Sequence, residues 1–172
     1  LRFQTRKQVG LLGGNFNPVH LAHLVMADQV QNQLGLDKVY LMPTYLPPHV
    51  DEKKTISSEH RLAMLELAVA DNPCLDIEPI ELIRKGKSYT YDTMKALKEA
   101  NPDTDYYFII GGDMVEYLPK WHRIDDLLHL VQFVGIRRPN YPTESTYPII
   151  WVDVPQMAIS STLIRQKVKS GC

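Results

Sequence analysis

Only two cysteines, Cys74 and Cys172, occur in 172 residues, too few for a disulfide framework. The expected setting is therefore a reducing cytoplasm. A surplus of positive charge is missing too: 19 Lys plus Arg face 20 Asp plus Glu, for a formal net charge of -1. That balance disfavours an electrostatically driven binder of nucleic acid or of an anionic membrane surface. A local basic pocket for a small anion stays open. Long apolar runs are also absent. Stretches such as Tyr106–Ile110 are strand-sized, whereas a membrane-spanning helix needs about 20 residues. The opening Leu-Arg-Phe-Gln-Thr-Arg-Lys-Gln has neither the apolar segment nor the cleavage site of a secretory signal. Leu1 stands where an initiator Met would, so further residues are expected before it. Repeats and low-complexity tracts are lacking as well.

What is present is enough core for one domain over residues 1–172, with 44% hydrophobic and 23% charged residues. Short apolar runs at Val9–Gly13, Lys38–Met42, Tyr106–Ile110, Val131–Ile136 and Ile149–Val154 are rich in β-branched or aromatic residues. They read as strands buried on both faces of a parallel sheet. Leu75–Ile80 is a weaker strand candidate, because Pro79 cannot donate to a ladder. Helical stripes lie between them. One runs through Leu21, Leu24, Ala27, Val30 and Leu34 and ends at Gly35. A second joins Leu62, Leu65 and Val69, with Ser57 or Ser58 as cap and Asn72-Pro73 as stop. A third joins Tyr91, Met94 and Leu97. The order predicts an α/β fold, a Rossmann-like three-layer sandwich with a mostly parallel sheet. Pro43–Thr55 and Pro139–Pro148 read as loops after strand ends, where open α/β sheets bind ligands.

The most informative stretch leaves the first strand and enters the first helix: Gly13-Gly14-Asn15-Phe16-Asn17-Pro18-Val19-His20-Leu21-Ala22-His23. The glycines let backbone approach a ligand, and N–H groups at a helix start can seat a phosphate. His20 and His23 fall on one face of the first helical turn, where they could stabilise charge that builds during transfer. A tight turn with two surface histidines is the bland reading. A metal pair is another, but no third ligand spacing accompanies it, so no protein metal site is expected. Near the other end, Ser160 or Ser161 caps a helix that carries Thr162 and Arg165, a second candidate phosphate seat. Alone, that segment reads as an ordinary capped surface helix.

Together these stretches resemble the nucleotidyltransferases with HxGH and ISSTxIR motifs, and more closely the bacterial nicotinate-nucleotide adenylyltransferases. The resemblance runs through GGNFNPVHLAH at 13–23, PPH at 47–49, HRLAMLELA at 60–68, SYTYDT at 88–93, GGD at 111–113, KWHRIDDLL at 120–128 and ISSTLIR at 159–165. It implies a Rossmann-like fold and the reaction of ATP with nicotinate mononucleotide to give nicotinate adenine dinucleotide and pyrophosphate. Mg²⁺ would accompany the ATP phosphates, and the pathway served would be NAD biosynthesis. The resemblance casts His20, His23 and Arg165 as catalytic. It assigns Gly13, Gly14, Asn15, Phe16, Gly111, Asp113, Arg137, Ser161 and Thr162, with those three, to ATP. Asn15, Thr90, Trp121 and His122 fall to the nicotinate nucleotide.

For Asp113 a helix cap is an equal reading, and Trp121 in isolation reads as core or staple. Three departures stand out: Ala22 replaces the glycine between the histidines, Val50 replaces a lysine after PPH, and the chain stops soon after Arg165. Lys53 or Lys54 could substitute for that lysine, and further C-terminal residues are expected. Alternatives are another HxGH enzyme, such as a pantetheine-phosphate adenylyltransferase or a cytidylyltransferase, and a non-catalytic nucleotide-binding module. A dehydrogenase lacks its glycine fingerprint here. Association with further copies is left open.

Overall fold

The computed structural model describes residues 6–16, 18–45, 57–137, 143–155 and 160–171. Alternation along the strands decides the layering. Leu11, Phe108 and Phe133 pack into one apolar cluster, while their chain neighbours Leu12, Ile109 and Val134 pack into another. Successive side chains leave opposite faces of a strand, so both faces of the sheet are buried.

In chain order the elements are β1 (Lys7–Gly14), α1 (Leu21–Leu34), β2 (Lys38–Pro43), α2 (Ser58–Val69), β3 (Leu75–Ile77), α3 (Ile80–Arg84) and α4 (Thr90–Ala100). There follow β4 (Thr104–Gly111), a 3-10 stretch Gly112–Lys120, α5 (Ile124–Leu127), β5 (Val131–Ile136), β6 (Ile149–Val152) and α6 (Ser161–Lys169). The sheet order is β3-β2-β1-β4-β5-β6, and every pairing is parallel. Helices α1 and α2 cover one face through Ala27, Val30, Leu65 and Val69. The other face is covered by α4, the 3-10 stretch and α5, through Met94, Leu97, Leu118 and Leu127. The expected three-layer sandwich is present, and its sheet is wholly rather than mostly parallel.

Some boundaries differ from expectation. β3 stops at Ile77, because Pro79 caps the short helix α3, which has no apolar stripe long enough to betray it. β6 ends at Val152, before Asp153 and Val154. α1 stops where anticipated: Gly35 takes a left-handed backbone (φ 63°), and its N–H donates back to the Asn32 carbonyl. Ser57 caps α2 by accepting from the His60 N–H. The segment with Pro47-Pro48-His49, Val50, Lys53 and Lys54, the residue Asn17, and part of the 139–148 loop lie outside the described residues.

The chain leaves β1 toward β2 on one side, and β4 lies on the other. This is the topological switch point, and the crevice beyond the carboxyl ends of β1 and β4 is where such a sheet accepts a ligand.

Candidate active site

At the switch point β1 ends in Gly13-Gly14 and β4 ends in Gly111, followed by Gly112 and Asp113 at the start of the 3-10 stretch. Between β1 and α1 the chain makes one strained step. Phe16 has a left-handed backbone (φ 45°) although it is not glycine. Its ring is 2% exposed, lies over Gly14 and meets the His23 ring edge-on at 4.9 Å. Burying a phenyl contributes about 1.5–3 kcal/mol, of the same order as the roughly 1–3 kcal/mol such a backbone costs. The turn is therefore locked by its own side chain.

His20 and His23 sit at the mouth of α1. His20 is the N-cap residue, with extended backbone, rather than a member of the first helical turn. Its N–H donates to His23 Nδ1 at 3.1 Å, a capping role usually filled by a side-chain oxygen. The two rings stack with centroids 3.8 Å apart and planes 22° from parallel. Burial first, and the neighbouring imidazole second, lower the His23 pKa from 6.5 to about 4. Burial also lowers that of His20. With Nδ1 accepting a backbone bond and the ring neutral at pH 7, His23 carries its proton on Nε2, which leaves a neutral donor on the ring's far edge.

A hydrogen bond ties the second half of the site to the first. Ser161 Oγ donates to the Pro18 carbonyl at 2.8 Å, across 143 positions of sequence. Ser160 caps α6 by accepting from the Leu163 N–H, so of the two serines it is the cap. Arg165 donates to Thr162 Oγ1 at 3.1 Å. The backbone N–H groups of the first turn of α6 thus lie beside the β1–α1 turn, two helix N-termini meeting at one crevice.

Elsewhere, Thr90 begins α4, and Tyr89 before it stacks on His122 at 4.2 Å. Trp121 is half-buried and meets Phe108 and Phe133 edge-on, at 5.9 and 5.8 Å. It is a wall of the core as well as a pocket candidate. Arg123, left-handed at φ 52°, lays its guanidinium 4.1 Å from the Tyr91 ring centroid and bonds Asp126 at 2.9 Å. Those contacts turn the His122 segment onto α4. Arg137 follows β5 as expected, but its guanidinium is engaged with Asp153 at 3.0 Å on the surface. The expectation for Arg137 therefore requires that exposed pair to exchange.

Two residues at the site escaped the sequence reading. The Arg61 side chain, on α2, is fully buried. Its Nη1 donates to the Asn15 carbonyl at 2.8 Å and to the Thr44 carbonyl at 2.7 Å, and its Nη2 donates to Ser58 Oγ at 3.2 Å. Desolvation draws its pKa below the usual guanidinium value. Thr44, just beyond β2, donates its N–H to the Gly14 carbonyl at 2.9 Å and its hydroxyl to Asn15 Oδ1 at 2.6 Å. The motif HRLAMLELA held the only clue to Arg61, and Thr44 gave none. Among the described residues no three His, Cys, Asp or Glu side chains gather into a metal cage.

Comparison with known proteins agrees with this geometry. The cytidylyltransferase-like family model matches residues 11–167. Proteins described as probable nicotinate-nucleotide adenylyltransferases are 65% identical in Streptococcus pneumoniae, over 99% of this chain and 82% of that protein, and 66% identical in Streptococcus mutans, over 98% and 80%. A nicotinic acid mononucleotide adenylyltransferase of Plasmodium falciparum, solved with NaAD, superposes with a TM-score of 0.75 at 20% identity. That superposition covers 93% of this chain and 83% of the other, a likeness of fold. The stacked histidines at the switch point, the capped helix beside them and near-full-length identity to these relatives agree: the chain belongs to the nicotinate-nucleotide adenylyltransferase family.

Proposed function

We propose that the chain transfers the adenylyl group of ATP to nicotinate mononucleotide, releasing pyrophosphate and forming nicotinate adenine dinucleotide for NAD biosynthesis. The observation that carries this reading is the stacked His20–His23 pair at the switch point, tied through Pro18 to the start of α6. An oxygen of the acceptor's 5′-phosphate forms a bond to the α-phosphorus, and the bond to the bridging α–β oxygen breaks. Pyrophosphate leaves with that electron pair. A phosphomonoester has its second pKa near about 6 and is already a dianion at neutral pH, so no general base and no covalent intermediate are needed. Alignment and charge stabilisation do the rest.

In this reading the Nε2–H groups of His20 and His23 face the reacting phosphates. Ser161, Thr162 and Arg165 hold the β and γ phosphates that become the leaving group. Gly13, Gly14, Asn15 and Phe16 form the floor, and Gly111 and Asp113 meet the ATP ribose. Arg137 lies on the adenine side. Thr90 and the backbone at Trp121 and His122 donate to the pyridine carboxylate, with the Trp121 face against the ring. Mg²⁺ would enter as a companion of the triphosphate, since it commonly keeps its waters and binds through substrate phosphates. Bound with the triphosphate, it would supply charge neutralisation for the leaving pyrophosphate. No helix of the described residues is long and apolar enough to cross a membrane. A cytoplasmic setting, which keeps Cys74 reduced, goes with the reading.

The test is pyrophosphate release with ATP and four acceptors: nicotinate mononucleotide, nicotinamide mononucleotide, phosphopantetheine and glycerol phosphate. A carboxylate can accept from every donor at Thr90 and His122, whereas an amide NH₂ leaves one unmet at a cost of about 1–3 kcal/mol. Sites built for a hydrogen-bonding group reject the wrong analogue strongly. The acid is expected to lead the amide by at least about 10²-fold in kcat/KM. Turnover of phosphopantetheine in its place would overturn the reading.

A further inference from the structure

Arg61 is the least expected charge in the molecule. Its side chain is 0% exposed, and among the described residues its hydrogen-bond partners are neutral oxygens, with no carboxylate paired to it. Burying an ion without a counterion is costly. A neutral donor could tie two carbonyls together without that cost, so the charge itself calls for a reason. Position supplies one. The two carbonyls that share Nη1 belong to Asn15, in the β1–α1 turn, and to Thr44, after the neighbouring strand β2. The peptide whose oxygen Arg61 holds is the one whose N–H belongs to the strained Phe16. A cation on that oxygen polarises the peptide and strengthens the N–H as a donor. Thr44 completes the arrangement from the side: its hydroxyl donates to Oδ1 of the exposed Asn15, which fixes the amide and distinguishes its oxygen from its NH₂ donor. The Phe16 N–H and the Asn15 NH₂ are thus both hydrogen-bond donors of the β1–α1 turn.

Resting on the adenylyl-transfer reading, we infer that Arg61 and Thr44 are positioning residues that hold Asn15 and the Phe16 peptide in a phosphate-gripping conformation. Neither touches substrate. Arg61 acts through the Asn15 backbone and Thr44 through the Asn15 side chain. The buried cation also places a fixed positive charge behind the turn, and the incoming phosphates are the anion that answers it.

A double-mutant cycle separates this role from general stability. Thr44→Val, Asn15→Ala and the double variant are compared in kcat/KM for ATP, and in Kd for ATP by calorimetry. Thr44→Val is expected to lose about 10-fold in the native background and less than about 2-fold when Asn15 is already Ala. Equal losses in both backgrounds, or a Thr44→Val enzyme as good as the native one, would overturn the proposal. Arg61→Lys keeps charge but cannot serve the two carbonyls and Ser58 together, and it should lose about 10- to 100-fold in kcat. Should it fail to fold, the Thr44 cycle decides alone. A folded Arg61→Lys with native turnover would contradict the role given to Arg61. If the native protein releases no pyrophosphate from ATP and nicotinate mononucleotide, the functional reading fails. Coupling in the ATP Kd would still confirm or overturn the positioning role.

Discussion

The two segments proposed above as phosphate seats are built in opposite ways. The described residues of the β1–α1 turn are held by several packing contacts and hydrogen bonds. Phe16 is buried beneath it, His23 caps His20, Thr44 grips Gly14 and Asn15, and Arg61 holds the backbone from behind. Helix α6 has no buried residue among those described, and its first turn is joined to the rest through the Ser161–Pro18 bond. A seat that must stabilise charge developing at one phosphorus gains from being fixed before substrate arrives, since no reorganisation is then needed. A seat that must hold pyrophosphate and then release it gains from low intrinsic stability. The comparison teaches a division of labour: the turn is preformed for chemistry, and α6 is completed by its ligand.

The largest effect that could break this division is on the turn. His20→Ala and His23→Ala should each lower kcat on the order of 10²–10³-fold, as read by pyrophosphate release at saturating ATP. The two should separate in stability. His23→Ala also removes the cap on the His20 N–H, worth about 1 kcal/mol in chemical denaturation, while His20→Ala leaves that bond without a missing partner. Near-native turnover in both would remove the histidines from the chemistry.

Arg165 comes next. Arg165→Lys keeps the charge but loses the planar fork, so ATP use should weaken by roughly 1–2 kcal/mol. Adenosine monophosphate, without β and γ phosphates, should bind both forms equally. An equal loss for the two nucleotides would move Arg165 away from the leaving group. Ser161→Ala should cost less, roughly 0.5–1.5 kcal/mol, and should appear in KM for ATP rather than in kcat. A kcat loss as large as that of the histidines would show α6 to be as rigidly coupled as the turn.

The smallest effect is in pH. His23 is held neutral in the fold, its pKa depressed from 6.5 to about 4, and that of His20 is lowered too. The unfolded chain therefore binds more protons over that interval. Stability should be full above pH 6.5 and fall as the pH drops from there toward 4. Urea midpoints measured across the interval should decline, and the decline should be shallower in His23→Asn. An unchanged slope in that variant would assign the effect elsewhere.

Much of the fold was legible in the sequence. Alternating apolar runs and helical stripes are local signals, and they located β1, β2, β4 and β5 and the Gly35 stop, and narrowed the α6 cap to Ser160 or Ser161, of which the fold uses Ser160. Motif chemistry pointed to the two segments proposed as phosphate seats. The supports behind them could not be read, because they depend on which distant groups meet. An arginine two residues before Ala63 on α2 looks like an ordinary surface charge until the helix is docked on β2, where its head reaches Asn15 and Thr44. His20 and His23 share a face of any helix, but that one would cap the other's N–H depends on the helix starting at Leu21. The short helix α3 and the 3-10 stretch are set by tertiary packing around Glu81, Val115 and Leu118 and have too few residues for a period to emerge.

The most direct test of the division is amide hydrogen exchange with and without a non-hydrolysable ATP analogue. The account predicts that the amides of His20, His23 and Leu24 are already protected without ligand and change little, whereas those of residues 162–167 exchange faster and are slowed at least about 10-fold by the analogue. Equal protection of both segments before the analogue is added, or an α6 indifferent to it, would contradict the account.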